Sequence, residues 1–462
     1  MGATGLGRAV PGAALRVIGA IEAAGYEAWV VGGWVRDALR DAPSHDVDVT
    51  TSAPWREGER VLRRAGIHVE RTGVAHGTIT AIVDGEPIEV TTYRQEGPYT
   101  DHRHPDYVRF VTDVREDLAR RDLTVNAIAY HPERGLLDPF GGIDDIARGI
   151  VRAVGDPDER LHEDALRVLR AVRFSLRLGY AIEPATQRAL LTHAPELAHV
   201  APERVGTELA GIVSAGHAGR ALTEQREVMC AALPELAPSV GFDQRSVYHI
   251  FDVYDHIAHV CRAVEAFTAG LARPSLRWAA LLHDVAKPAT FSLDVDGHGH
   301  FFDHPRQGAE MARAIMRRLA LGSELTDAAC CLIRLHDERM PLSAQAVRAL
   351  LGRISRSCPG REGEVAFQLL DLRRADAVSK CPAAASFASR LDAYAALVRR
   401  ELATGPVFSV RHLAVSGADV MRELRLPAGP GVGMLLEQLL RAVMADEVEN
   451  EREALLSWLR GD

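Results

Sequence analysis

Hydrophobic positions along the chain follow two rhythms, and the change between them divides it. Leu15 to Ala24 reads as an amphipathic helix leading into the apolar run Trp29-Val30-Val31, which reads as a buried strand. Gly32-Gly33 breaks that run and a short helix carries Arg36 and Asp37. The stretch His45-Asp46-Val47-Asp48-Val49 then alternates as a second strand, setting both carboxylates on one face. Residues 56–66 predict a helix closed by Gly66. Residues 73–83 and 86–94 predict two strands about the turn Asp84-Gly85. Residues 95–110 are too polar and proline-punctuated for an element and read as a surface loop. Arg120, Arg121 and Asp122 precede an apolar segment read as a helix, with Asp122 as its N-cap.

Past Gly155-Asp156-Pro157 the rhythm becomes helical. Glu163, Asp164, Arg167, Arg170 and Arg173 fall at three- and four-residue spacings that place them along one face of a single helix, with Leu166, Leu169, Val172 and Leu176 on the other. Helices continue to Leu233, a Pro-rich linker follows, and the remainder is helical. The pattern predicts an α+β protein divided at 1–150, 151–238, 239–390 and 391–462.

Composition changes this picture little. A chain of 462 residues holds several domains. The six cysteines (Cys230, Cys261, Cys330, Cys331, Cys358, Cys381) lack metal-ligand spacing and read as free thiols of a reducing cytoplasm. No run of eighteen apolar residues exists, so no membrane span is expected. A net charge of −9 excludes a uniformly basic nucleic-acid binder but leaves room for a local basic stripe.

The candidate chemistry begins at Gly32-Gly33, a backbone able to receive phosphates, followed by Asp46 and Asp48, two carboxylates placed to mount Mg²⁺. Glu89 is either a third carboxylate there or an ion-pair partner. The arginines at 167, 170 and 173 outnumber their acidic neighbour Asp164, an excess of positive charge that suits a triphosphate or an RNA backbone. In combination, G-G-x-V-R-D followed by D-x-D resembles the class II nucleotidyltransferases of the polymerase-β superfamily, which comprise bacterial tRNA CCA-adding enzymes and poly(A) polymerases.

That resemblance implies a polymerase-β-like head with a mixed β-sheet, then helical neck, body and tail. It implies that Gly32, Gly33, Arg36 and Arg121 bind the triphosphate, and that Arg121, Asp122 and Asn126 serve ribose and phosphates. Asp164 and Arg167 would read the base by an acceptor–donor pattern, with Arg170 and Arg173 as further contacts. A loop with the D-x-R-x-P core Asp101, Arg103, Pro105 would serve the final A addition.

A second constellation lies beyond residue 239. His256, the adjacent His283-Asp284 and Asp376 resemble the H…HD…D ligands of HD phosphohydrolase domains, with His304 and His336 at auxiliary positions. Imidazoles and carboxylates suit a second divalent metal of transition type. The expected function is template-independent addition of C, C and A to tRNA from CTP and ATP in the cytoplasm, by a nucleotidyl transfer with two Mg²⁺ held at Asp46 and Asp48, joined by a phosphohydrolase activity of the HD-like region. The alternatives are poly(A) synthesis, addition of CC or A only, or a non-catalytic RNA-binding relic. The sequence indicates no oligomeric state.

Overall fold

The computed structural model describes residues 6, 9–44, 46–97, 107–246, 248–380, 387–405 and 407–461. It resolves into two compact units. The first is Met1–Leu209 with Gln225–Ala232, the second Ala210–Glu224 with Leu233–Asp462, so the chain passes between them three times.

The first unit is built on a seven-stranded sheet. Its strands are β1 (Ala28–Val31), β2 (Asp48–Thr51), β3 (His68–Gly73), β4 (Thr78–Val83) and β5 (Glu86–Thr92), joined by β8 (Ala129–His131) and β9 (Gly135–Leu137); β6 (Arg94–Glu96) and β7 (Val108–Phe110) form a separate ribbon. The order is β3-β4-β5-β2-β1-β8-β9, with β2 and β5 parallel and the other neighbours antiparallel, so the sheet is mixed. β1 is buried on both faces. Val30 joins the core made with α1 (Gly12–Ala23) and α3 (Trp55–Arg64), whereas Trp29 and Val31 pack with Tyr93, Val114 and Leu118 on the opposite face. Asp84 and Gly85 both have positive φ, the conformation a two-residue hairpin turn demands.

Three expectations need correction. The polar stretch 95–110 is not featureless at its ends, because Arg94, Gln95 and Glu96 pair with Phe110, Arg109 and Val108. The loop core Asp101, Arg103, Pro105 lies outside the described residues. Arg120 and Arg121 do not open a helix; they follow α4 (Val114–Ala119), and after Asp122 comes a single 3₁₀ turn, Thr124–Asn126, before β8. The apolar run there is apolar because β8 is a buried strand beside β1, and Asp122 accepts from Leu123 N and Asn126 Nδ2 without capping a helix. Gly142, which opens α5 (Gly142–Arg148), supports that turn: a Cβ there would lie 2.2 Å from the Thr124 carbonyl oxygen.

The third correction concerns the Glu163–Arg173 stretch, which is two helices. α6 (Pro157–Glu163) ends at Asp164, whose extended backbone (φ −143°, ψ 103°) turns the chain into α7 (Leu166–Leu178). Asp164 accepts a hydrogen bond from Leu166 N, satisfying a donor that the new helix start leaves open. The apolar face is as expected, with Leu166, Leu169, Val172 and Leu176 all buried. α8 (Pro184–His193), the first part of α9 (Pro202–Val213) and α11 (Arg226–Ala232) complete this unit.

The second unit is helical. It contains α10 (Ala218–Glu224), α12 (Val253–Phe267), α13 (Pro274–Leu282), α14 (Lys287–Thr290), α15 (His304–Arg318), α16 (Ser323–Leu335), α17 (Ala344–Ser357), α18 (Glu362–Val378) and α19 (Phe387–Ala403), then α20 (Gly417–Leu424), α21 (Pro430–Met444) and α22 (Arg452–Arg460) around a core of their own. Cys230, Cys261, Cys330, Cys331 and Cys358 are free thiols; Cys381 is outside the described residues. Among the described residues no helix is long and apolar enough to cross a membrane.

Candidate functional site

In the first unit, β2 begins at Asp48, and the burial around it alternates: Asp46 exposed, Val47 buried, Asp48 half-buried, Val49 buried. The two carboxylates are therefore turned away from the α1–α3 core. β5 runs parallel with Glu89 in register with Asp48. Burial pushes the Asp48 carboxyl above its usual range, Arg121 pulls it back, and the nearby charges of Glu89 and Asp46 raise it again. Glu89 makes no ion pair among the described residues, so it stands as a third negative charge beside the other two. Such a group of carboxylates is unfavourable alone and suits a hard cation such as Mg²⁺.

Gly32 holds the other side. Its φ of +75° favours glycine, and a Cβ there would lie 3.1 Å from Arg121 Nη1 and 3.7 Å from Asp48 Oδ2. A Cβ on Gly33 would meet Arg36 Nη2 at 3.6 Å. The Gly32 N–H is directed to the Ile128 carbonyl at 3.4 Å and so is not an open donor. Arg121 is positioned by Asp117, a wholly buried residue that the sequence reading missed. Asp117 accepts from Arg120 Nε at 2.9 Å and from Thr50 Oγ1 at 3.1 Å, and its Oδ2 lies 3.5 Å from Arg121 Nη2. Burial alone would raise the Asp117 carboxyl, but Arg120 and Arg121 outweigh it and hold it below its usual range. The Arg121 Nε is buried with no hydrogen-bond partner. The signal for Asp117 was its place three and four residues before the paired arginines.

Arg36 is turned inward. Its Nε and Nη2 donate to Asp37 at 2.9 and 2.8 Å, its Nη1 donates to Asn126 Oδ1 at 2.7 Å, and its guanidinium lies 5.2 Å from the Phe174 ring. Asn126 Nδ2 donates to Asp122 at 3.3 Å, and Arg170 Nε donates to the other Asp122 oxygen at 2.9 Å. Burial opposes the charge on Asp122, yet Arg170 prevails and the carboxyl is held at about 2. One bonded series thus ties Arg36, Asn126, Asp122 and Arg170 together.

Arg167, Arg170 and Arg173 of α7 are each met by a carboxylate, contrary to the excess expected. Arg167 pairs with Glu163, Arg170 with Asp122 and Glu208, and Arg173 with Glu208 at 2.6 Å. Glu208 comes from α9, about forty positions away in sequence, which concealed the compensation. The Arg167 N–H donates to the Asp164 carbonyl at 2.9 Å, but the two side chains take other partners. Asp164 accepts from Arg204 at 2.8 Å, and Arg167 Nη1 also donates to the Arg160 carbonyl at 2.9 Å.

In the second unit the structure brings all six expected ligands together. The Nδ1 atoms of His283, His304 and His336 lie 2.7 to 2.9 Å from the carbonyl oxygens of Ala280, Phe301 and Ile333, and His256 Nδ1 lies 3.2 Å from that of Ser379. Each carbonyl fixes the proton on Nδ1 and leaves Nε2 to face inward. All four Nε2 atoms surround Asp284, at 3.5 Å (His256), 3.2 Å (His283), 3.5 Å (His304) and 3.7 Å (His336). His256 Nε2 is also 3.1 Å from Asp376 Oδ1. Two groups share Asp284, namely His256 with His283 and His304 with His336, each within the span of a metal ion's ligands. Asp284 Oδ1 and His283 Nε2 are buried without a hydrogen-bond partner, a state that fits metal ligation. Lys287 and Lys380, missed in the sequence, pair with Asp284 and Asp376 at 2.7 and 2.6 Å. Burial lowers His304 to about 4, keeping it neutral as a ligand must be.

Comparison with known proteins agrees with this division of features. Residues 28–152 match the model of the poly A polymerase head domain, 179–238 that of a probable RNA and SrmB-binding site of polymerase A, 247–394 the HD domain, and 374–459 a putative tRNA nucleotidyltransferase domain 2. The CCA-adding enzyme of Geobacillus stearothermophilus is 34% identical over 450 residues, 96% of each chain. That of Streptococcus pneumoniae is 30% identical over 448 residues, covering 97% of this chain and 96% of its own. Among solved structures, the Bacillus stearothermophilus CCA-adding enzyme in complex with CTP superposes with a TM-score of 0.72 at 31% identity, over 97% of this chain and 96% of that one.

Proposed function

Because the chain belongs to the CCA-adding enzymes, a family of nucleotidyltransferases, we propose that it adds C, C and A to the 3′ end of tRNA from CTP and ATP, in the cytoplasm. The observation that carries this reading is the convergence of Gly32, Asp48 and Arg121, with Asp46 and Glu89 alongside, in a chain similar along its whole length to CCA-adding enzymes. In this reading the functional divisions are the head (1–150), neck and body (151–238), HD domain (239–390) and tail (391–462).

Asp46 and Asp48, with Glu89 as third carboxylate, would hold Mg²⁺, which when bound activates the 3′-hydroxyl and neutralises charge on the leaving pyrophosphate. The chain's own residues do the positioning. Gly32 leaves room for phosphate beside Asp48. Arg121, steered by Asp117, presents a guanidinium fork to the triphosphate. Arg36 and Asn126 hold Asp122 in place for the ribose, with Gly33 admitting the Arg36 side chain. Asp164 and Arg167 read the base edge by leaving Arg204 and Glu163 for it, and Arg170 and Arg173 secure the helix beneath. Incubating the protein with tRNA lacking CCA and each nucleotide alone or mixed tests the proposal at single-nucleotide resolution. CTP alone should give tRNA-CC and the mixture tRNA-CCA. A long tail from ATP alone identifies a poly(A) polymerase, and a stop at CC or a need for preformed CC identifies a partial enzyme.

A second activity is favoured by the four imidazoles around Asp284. His256, His283, Asp284 and Asp376, with His304 and His336, would hold one or two divalent transition-type ions, which when bound activate water for phosphoester hydrolysis. The substrate we assign is a 2′,3′-cyclic or terminal phosphate on a damaged tRNA, an end with no free 3′-hydroxyl to extend. A His283→Ala, Asp284→Ala double variant should lose metal-dependent cleavage of cyclic-phosphate-ended tRNA. Absence of cleavage by the wild type overturns this reading.

A further inference from the structure

A cavity of about 630 Å³ in the second unit lies among the end of α16, α17, α19, the segment 408–411 and α21. None of its lining residues is a ligand of the histidine cluster, and it takes no part in the reactions proposed above. Five arginines line it, Arg339, Arg353, Arg356, Arg411 and Arg441, against two carboxylates, Glu338 and Glu437. Arg353 pairs with Glu338, and its Nε is buried without a hydrogen-bond partner. The side chains of Arg339, Arg356, Arg411 and Arg441 make no hydrogen bond or ion pair among the described residues. This concentration of positive charge stands out in a chain of net charge −9. Arg173, Arg277 and Arg348, by contrast, are matched by Glu208, Glu265 and Glu401.

We propose that this cavity binds a small phosphate-bearing ligand of nucleotide size, at a site separate from the triphosphate pocket of the head. Guanidinium forks match phosphate oxygens two at a time. The volume lies within the range of small-molecule pockets. Leu335, Met340, Phe408, Leu440 and Met444 add apolar wall suited to a base or similar body. Walls contributed by five chain segments bring these charged and apolar groups around one half-open hollow.

The test uses the full-length protein in EDTA, so that a triphosphate gains no metal bridge to the head carboxylates. Titration calorimetry with ATP, inorganic pyrophosphate and adenosine should show one phosphate-dependent site per chain, filled by ATP, with or without pyrophosphate, and not by adenosine. Arg356→Gln with Arg411→Gln should weaken ATP binding at least tenfold while leaving nucleotide addition to tRNA unchanged, and Arg339→Gln with Arg441→Gln should act in the same direction. The proposal is overturned if the wild type binds no ATP in EDTA, if adenosine binds as well as ATP, if neither double variant weakens binding, or if tRNA alone occupies the site.

Discussion

Replacing Asp117 with Asn isolates how the arginine of the head site is held. The substitution keeps shape but removes the charge that lies between Arg120 and Arg121 and that also receives Thr50 Oγ1 and, at 3.4 Å, Arg94 N. Removing one partner of a buried ionic group costs about 3–5 kcal/mol. Here the arginines retain 16 and 18% side-chain exposure, so water recovers part of this and the expected loss is about 2–3 kcal/mol. Denaturant unfolding of the first unit measures it, reported by Trp29, Trp34 and Trp55 against Trp278 and Trp458 elsewhere. The pH dependence has a definite sign. Asp117 is depressed in the folded state, so its stabilisation is complete above the unfolded carboxylate value of about 3.9 and is lost as pH falls below it. The gap between wild type and variant should therefore be full at pH 7 and close below about pH 4. Kinetically, a guanidinium displaced by about 1 Å costs about 100-fold in kcat/KM for CTP, and adding Arg121→Ala to the variant should cost little more. If Asp117→Asn lowers stability yet keeps kcat/KM within about twofold, Arg121 is not positioned by Asp117 and the account of the site fails.

Asp48→Asn should abolish addition yet raise the metal-free stability of the first unit by about 0.5–2 kcal/mol at pH 7. The raised carboxyl makes the charged form costly above its folded value, so this advantage should vanish in acid; melting curves in EDTA at several pH values check it. Asp164→Ala and Arg167→Ala should increase UTP and GTP misincorporation more than they raise KM for CTP, whereas unchanged fidelity with a uniformly slower rate assigns both to scaffolding. Chelation followed by Mg²⁺ alone should restore addition, while hydrolysis of a cyclic phosphate should return with Mn²⁺ or Ni²⁺ and not in Asp284→Asn; restoration of both by the same ion in that variant contradicts two separate sites.

What the sequence disclosed, and what it concealed, follows from the range of the interactions. The strand–glycine–helix of residues 28–39 and the alternation at Asp46 and Asp48 are local, and so is the turn Asp84-Gly85; each was legible. So was the set His256, His283, Asp284, His304, His336 and Asp376, because residues in five segments shared a chemistry that no core explains. The break at Asp164 was hidden because its spacings suit a continuous helix, and only its side chain, bonding Leu166 N and Arg204, shows why the chain turns there. The strand at Ala129–His131 was read as helix because a strand buried on both faces lacks alternation. The neutralisation of Arg170 and Arg173 by Glu208, and the inward turn of Arg36 toward Asn126 ninety residues later, depend on contacts no spacing encodes.

The three passages of the chain between its units bear on how such a protein can be divided or exchanged. α10 belongs with the second unit: Tyr254 Oη donates to the Leu222 carbonyl at 3.1 Å, and a Cβ on Gly219 would lie 3.0 Å from the Ala258 carbonyl oxygen. A break after Ala232 would strand this helix on the wrong fragment, uncovering Ala218, Ala221 and Leu222 and leaving α12 without its neighbour. A single joint after Ala232 therefore cannot exchange the first unit as a whole.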